Sequence, residues 1–350
     1  MTFESLNIAI ALPEIFLLTM ACLVLVVDVY LPEERRNVSY VLSQLSLIIT
    51  LLLVLTNQTD TRVLAFNDLF VQDAMADALK LFILIISFGV FVYSREYLQA
   101  RNIFKGEFYV LGLFSIVGMM LMVSANNLLM LYLGLELLSL CLYALVAFNR
   151  DDGNASEAAM KYFVLGAIAS GMLLYGMSIL YGLSGSLQLS EIAHAVSQAE
   201  GAQNIGMIFA LVFIVVALAF KLGAVPFHMW MPDVYHGSPT AVTALIGTAP
   251  KLAGFAMFMR LLVEALGGLQ ADWQQMIIVL SVLSLAVGNI IAIAQTNLKR
   301  MLAYSTISHV GFILLGILAG STEGYSSAMF YTISYAMMSL GGFGVIMLLA

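Results

Sequence analysis

Phe220–Arg260 reads FKLGAVPFHMWMPDVYHGSPTAVTALIGTAPKLAGFAMFMR. It sets two lysines in apolar sequence, each beside a helix breaker. Gly223 and Pro226 follow Lys221, and Pro250 immediately precedes Lys251. A lysine near the centre of a bilayer costs roughly 2.5–3.5 kcal/mol on insertion scales, so it persists where it has a partner, water or a task. Proline removes a backbone donor and crowds the carbonyl four residues back. In hydrocarbon the freed groups must be satisfied by protein or by a water-lined cavity. Buried cations beside interrupted helices are what an ion path through a membrane needs.

The rest of the chain supplies the membrane. Of 350 residues, 62% are hydrophobic and only 10% charged. Soluble domains carry about 25% charged residues, so the composition reads as an all-α polytopic membrane protein. The opening residues lack the charged region and cleavage site of a removable signal peptide. The net charge of -7 comes mostly from loop carboxylates, and no basic run points to nucleic acid. Cys22 and Cys141 both lie in apolar runs and form no CxxC. That argues against a disulfide framework, iron–sulfur ligation or structural zinc. No GxGxxG follows a strand and no Walker loop is present. Redox or nucleotide chemistry is therefore expected on other chains, with no cofactor on this one.

Apolar runs long enough to span, about 17–25 residues each, number about eleven. They are approximately Ile8–Tyr30, Val38–Thr56, Ala74–Tyr93, Phe108–Ser124, Leu128–Phe148, Ala155–Tyr181, Ile205–Leu222, Pro239–Val263, Trp273–Ala294, Met301–Ala319 and Ser326–Ala350. Pro226–Tyr235 is too short and polar to span. It reads as the second half of a broken helix near 205–235. Ser238 is a plausible N-cap for the next helix, with Pro239 at its first position. The final run ends without a stop signal, so the sequence is expected to be part of a longer chain.

Arginine and lysine placement gives the orientation. Arg35, Arg36, Arg95, Arg101, Lys105, Arg150, Lys299 and Arg300 fall in alternate loops, with Lys161 just inside its helix; the opposite loops carry only Arg62 and Arg260. The N-terminus is then outside, and the basic loops are cytoplasmic. In the outer segment Leu187–Gln203, Ser190 could cap a short amphipathic helix with Ile192, Ala193 and Val196 on one face.

Six residues carry the candidate chemistry. Glu136 lies deep in its span, and Lys221 is its best candidate partner. A buried Glu–Lys pair titrates as one unit, and lysine, unlike arginine, can release its proton when desolvated. The plainer alternatives are a glutamate neutralised by protonation or hydrogen-bonded to a neighbouring helix, and, for Lys221, a structural ion pair. Lys251 is also mid-depth, with no carboxylate in its own span. Lys161 could snorkel to the surface. His228, just past Pro226, could bridge Lys221 and Lys251, because its two nitrogens donate and accept separately. His309 lies mid-span, with Ser305 one turn earlier as its ordinary hydrogen-bond partner. His236 reads as solvated, Asp28 as a group near a cytoplasmic end, and Asp77 with Lys80 as a local pair. The many methionines, phenylalanines and tyrosines read as packing or lipid-facing.

The segments KLGAVPFHMWMPDVYHGSPT (221–240), APKLAGF (249–255), NLKRMLAYSTISHVGF (297–312) and LELLSLCLYAL (135–145) resemble the antiporter-like membrane subunits of respiratory complex I. The resemblance runs over essentially the whole chain. It implies a fourteen-helix pattern of two inverted five-helix repeats, each with one discontinuous helix. Residues 1–107 would be an N-terminal three-helix region, 108–263 the first repeat and 273–350 the start of a second, truncated one. Glu136 would match the glutamate of the fifth helix, Lys221 the lysine of the broken seventh, and Lys251 that of the eighth. Lys161, His228 and His309 would match further polar positions on the hydrophilic axis. The second broken helix and its ionisable residue would lie beyond Ala350.

The function so implied is proton translocation coupled to electron transfer from NADH to quinone elsewhere in the complex. NAD, flavin, iron–sulfur clusters and quinone would sit in partner subunits. The partners implied are small membrane subunits, a neighbouring antiporter-like subunit and membrane lipid. A subunit of a multisubunit sodium/proton antiporter shares the same core and would co-purify with small antiporter subunits only. A structural scaffold would respond to charge-neutral replacements in assembly more than in flux.

Overall fold

The computed structural model describes residues 6–59 and 61–349. Runs rich in Leu, Ile, Met and Ala form helices because, away from water, every backbone group must find a partner within its own segment. The helices are α1 (Leu12–Tyr30), α2 (Asn37–Thr56), α3 (Ala74–Ala100), α4 (Glu107–Val123), α5 (Leu128–Val146), α6 (Gly153–Ser184) and α7 (Leu189–Gln198), then α8 (Gly201–Leu222), α9 (Trp230–Gly237), α10 (Thr240–Gly247), α11 (Ala249–Phe258), α12 (Gln270–Ile293), α13 (Leu298–Leu318) and α14 (Thr322–Leu349). Among the described residues, ten helical segments are long and apolar enough to cross a membrane, and α4 is a shorter apolar helix. The chain is an all-α membrane protein of the expected span number. Ala350, the last residue of the final expected span, lies outside the described residues.

The expected break is present. α8 stops at Leu222, where Gly223 takes a left-handed φ of 84° and its N–H bonds back to Ala219 O at 2.9 Å. Glycine is the residue that adopts this conformation without a Cβ clash. Turns follow through Met229, and α9 begins at Trp230. A second interruption falls at Thr248 (φ -120°, ψ -97°), between α10 and α11, with Pro250 in the first turn of α11. π-helical turns follow at Met259–Ala265. The whole span Thr240–Ala265 is the central one, with 94% of its most apolar window buried in the bundle. The doubly interrupted helix is therefore shielded from lipid by its own chain.

α4 and α5 meet backbone to backbone. A Cβ at Gly118 would come within 2.7 Å of both Gly134 O and Leu138 N. Small residues allow such approach where dispersion and close packing drive helix association in lipid. At one end of the bundle a hairpin of β1 (Val63–Ala65) and β2 (Phe70–Gln72) pairs antiparallel, Leu64 opposite Val71. Asn126 ties this hairpin down, donating from Nδ2 to Asp68 O at 2.8 Å. α7 packs at the same end, burying Leu189, Ile192 and Val196.

Several local expectations change. Ser190 lies inside α7; the N-cap is Gln188, without a side-chain bond. Ser238 closes α9 and does not open α10: its hydroxyl turns to Thr243 Oγ1 at 2.9 Å, and Pro239 takes the N-cap place. Lys80 does not pair with Asp77. It reaches the buried Glu14 at 2.6 Å, while Asp77 accepts from Gln72 at 3.0 Å and from the Thr59 N–H at 3.2 Å. Asp28 accepts from Ser39 Oγ at 2.5 Å. Arg260 is not a loop residue; it is fully buried in the π-helical turns.

Candidate functional site

Glu136 and Lys221 reach one cavity between α5, α6 and α8, of ≈ 20 Å³, also bordered by Ser139, Ser170 and Trp230. That volume holds about one water molecule. The two side chains do not form the expected direct ion pair. Lys221 Nζ donates to Ser139 Oγ at 3.0 Å, and Ser139 donates on to Leu135 O at 2.7 Å. Glu136 accepts from Ser170 Oγ, which in turn shares a 3.0 Å hydrogen bond with Tyr132 Oη. Ser139 lies three residues after Glu136 on α5, so helix periodicity puts it on the same face, between carboxylate and amine. The pair is thus held apart by serine hydroxyls, and Glu136 still acts electrostatically on Lys221.

Lys251 is buried, and its Nζ donates to Leu222 O at 2.9 Å. Leu222 is the last residue of α8, so the break is what leaves its carbonyl free. The C-terminal end of a helix carries partial negative charge and favours a cation. Lys221 lies in the last turn of α8, next to Leu222, but its amine turns to Ser139 of α5. Trp230 completes this corner: its indole N–H donates to Phe220 O at 2.9 Å, Tyr162 stacks on it at 4.6 Å, and Lys251 Nζ lies 5.7 Å from its ring centroid. The charge acting on Lys251 is Lys221. A carboxylate, two lysines and a helix end thus converge on one interruption.

Comparison with known proteins follows the same pattern. Residues 125–350 match the family model described as NADH:quinone oxidoreductase/Mrp antiporter, TM. The chain belongs to that family. A relative from Thioalkalivibrio sulfidiphilus named NADH-quinone oxidoreductase subunit N is 60% identical over all of this chain and 73% of its own length. One of the same name from Thiobacillus denitrificans is 55% identical over all of this chain and 72% of its own. A chain of respiratory complex I from Thermus thermophilus superposes with a TM-score of 0.78 at 32% identity, over 96% of this chain and 70% of that one. A chain of the Mrp complex from Dietzia sp. shares the fold with a TM-score of 0.84 at 19% identity, over 96% of this chain and 64% of that one.

In this antiporter-family chain the remaining candidates spread along the bundle. His309 on α13 does not use Ser305. Its Nδ1 makes a 2.7 Å hydrogen bond with Tyr331 Oη of α14, and Tyr335 packs on its ring at 4.4 Å. Ser305, Thr306, His309 and Ser339 border a cavity of ≈ 130 Å³ between α13 and α14. His228 does not bridge the lysines. The turn after Gly223 points it at Tyr304 of α13, 6.4 Å between centroids, and its Nδ1 has no hydrogen-bond partner among the described residues. Lys161 sits in a surface network instead of the mid-depth row. It pairs with Glu157 at 2.9 Å and Asp233 at 2.8 Å, and Asp233 also takes Arg300 at 2.9 Å. His236, with Asp152 and Lys299, borders a polar cleft of ≈ 290 Å³ at that end.

The sequence reading missed one charged cluster. Arg260 holds Asp73 through two nitrogens, at 2.8 and 3.0 Å, pairs with Glu264, and donates to Val123 O at 3.2 Å. Arg62 joins Glu264 and Asn126 at 2.9 Å each. The four-residue spacing of Arg260 and Glu264 was the available signal. Burial by itself would raise the Asp73 carboxyl, but the Arg260 guanidinium, the Ala76 N–H and Arg62 outweigh it and hold it below the usual aspartate range.

Proposed function

We propose that this chain is a membrane-arm subunit of an NADH:quinone oxidoreductase that moves protons across the membrane, driven by electron transfer from NADH to quinone elsewhere in the complex. The observation that carries the reading is the convergence of Glu136, Lys221 and Lys251 on the interrupted end of α8. Names carried by relatives 55–60% identical favour the quinone reductase over a sodium/proton antiporter subunit. NAD, flavin, iron–sulfur clusters and quinone belong to partner subunits in this reading. Its neighbours are small membrane subunits and a second antiporter-like subunit. It lies in a bacterial inner membrane with the N-terminus outside, and its regions 1–107, 108–263 and 273–350 follow the repeat pattern.

The proposed site residues are Glu136, Lys221 and Lys251 at mid-depth, His228 and His309 towards α13, and Lys161 at the cytoplasmic end through Asp233. An event in neighbouring subunits changes the Glu136–Lys221 separation. At an effective dielectric of about 20, opposite charges about 4 Å apart attract by about 4 kcal/mol, and by about half that at twice the distance. Moving one charge against 100 mV costs about 2.3 kcal/mol, the same size. With the carboxylate close, Lys221 keeps its proton; with it withdrawn, the proton passes by way of water towards Lys251. Ser139 lies where it can carry the contact in the open arrangement.

The test uses the complete complex in liposomes. Glu136→Gln and Lys221→Ala should depress proton translocation and coupled quinone reduction while assembly stays near normal. Full translocation in either variant removes the pair from the path.

A further inference from the structure

Tyr235 lies in α9, fully buried, and its hydroxyl has no hydrogen-bond partner among the described residues. An unsatisfied buried polar group is rare enough to need a reason. On one side of the hydroxyl is Gly247, where a Cβ would come within 3.1 Å of Tyr235 Oη. That places the hydroxyl against the end of α10, beside the Thr248 interruption, three residues before Lys251 in sequence. On the other side the Tyr235 ring packs 6.0 Å from Phe343, which also borders the ≈ 130 Å³ cavity containing His309. Thr306 and Tyr335 are the polar neighbours of the hydroxyl; Thr306 lies near enough to act on it, but outside hydrogen-bond geometry. They are engaged with each other: Tyr335 Oη donates to Thr306 Oγ1 at 2.7 Å, and Thr306 donates to Leu302 O at 2.8 Å. The cavity has room for several waters and hydroxyls to hold them.

We propose that Tyr235 is a relay residue that joins the Lys251 end of the path to the His309 cavity. This rests on the reading of the chain as a proton translocator. A proton leaving Lys251 Nζ reaches Tyr235 Oη through water, while the proton already on Oη leaves to a cavity water and on to the His309 imidazole. One O–H bond forms and one breaks at Oη, Lys251 becomes a neutral amine and His309 an imidazolium. No oxidant or reductant is needed. The unpaired hydroxyl is free to take either neighbour, whereas the hydroxyls of Thr306 and Tyr335 are committed.

Two replacements separate relay from packing, measured as proton translocation by the complete complex in liposomes. Tyr235→Phe keeps the ring against Phe343 and removes only the hydroxyl. Tyr235→His sacrifices packing and restores a group that accepts and donates. The relay role gives a Phe variant about tenfold slower than wild type, with the His variant faster than the Phe variant. Wild-type translocation in the Phe variant, or a Phe variant faster than the His variant, overturns the proposal. Glu136→Gln is run beside them. If it abolishes translocation while Tyr235→Phe retains it, only the relay fails. If both retain it, the reading of the chain as a translocator fails first.

Discussion

Replacing Lys251 by arginine tests whether the central amine must give up its proton. The surroundings fit a guanidinium in charge and chemistry. It can donate to Leu222 O, stack on Trp230 and complete the α8 end, so the positive charge and its partners are kept. Burial acts on both side chains, so the difference in their intrinsic acidity survives. Lysine titrates near 10.4 and arginine near 12.5–13.8, a gap of about 2–3.4 units. At about 1.36 kcal/mol per unit this is roughly 3–4.6 kcal/mol, or about 10²- to 10³-fold slower proton release. The assay is NADH-driven acidification of liposomes containing the whole complex, followed with a pH-sensitive dye beside NADH oxidation. Lys251→Arg should assemble normally and lose translocation by about that factor. Acidification at the wild-type rate would show that release from residue 251 is unnecessary, and the mid-depth path would have to be redrawn without it.

Further outcomes follow from other parts of the bundle. Ser139→Ala removes the hydroxyl that Lys221 contacts, and should slow translocation with little loss of thermal stability, read by a melt of the detergent-solubilised complex. Lys161→Ala breaks two bridges at a side chain 45% exposed, where solvent screens both, so translocation should change far less than for Lys221→Ala. Gly118→Ala puts a Cβ against the α5 backbone and should cost about 1–3 kcal/mol, seen as a lower melting temperature. Asp73→Asn leaves the buried Arg260 short of one of its two carboxylates and should destabilise by about 3 kcal/mol. Because the folded-state Asp73 carboxyl lies below its ordinary 3.8, its stabilisation is complete above that pH. It is lost as pH falls through the lower folded value; an acid melt unaltered by Asp73→Asn would contradict this.

The spans and the first break were legible because they depend on local signals. Long apolar runs leave a chain in lipid little choice but helix, and Gly223 with Pro226 marks where that helix must stop. Pro250 announced the second interruption, though not that Thr248 would carry the unusual dihedrals. Depth in the membrane was legible too, since helical rise fixes it, and so Glu136, Lys221 and Lys251 met near one place. Partner choice was not. Whether Glu136 touches Lys221 or Ser170, whether Lys80 turns to Asp77 or Glu14, and whether His309 takes Ser305 or Tyr331 depend on which neighbouring helix supplies the nearest polar atom. Tyr162 read as packing and Trp230 drew no reading, because nothing local says that a cation will lie over an indole. Arg260 misled for the opposite reason: charge suggested a loop, but two acids distant from each other in sequence allowed it inside.

The two amines at the end of α8 have one further implication. Lys251 rests on the carbonyl of Leu222, the residue next to Lys221, so the two positive charges are brought to the same break and repel each other. On the proposed path loading would therefore be anticooperative: a proton resident at one lysine would discourage a second from arriving at its neighbour. If that path holds, the broken helix sets the capacity of the reservoir, and protons would cross it in single file.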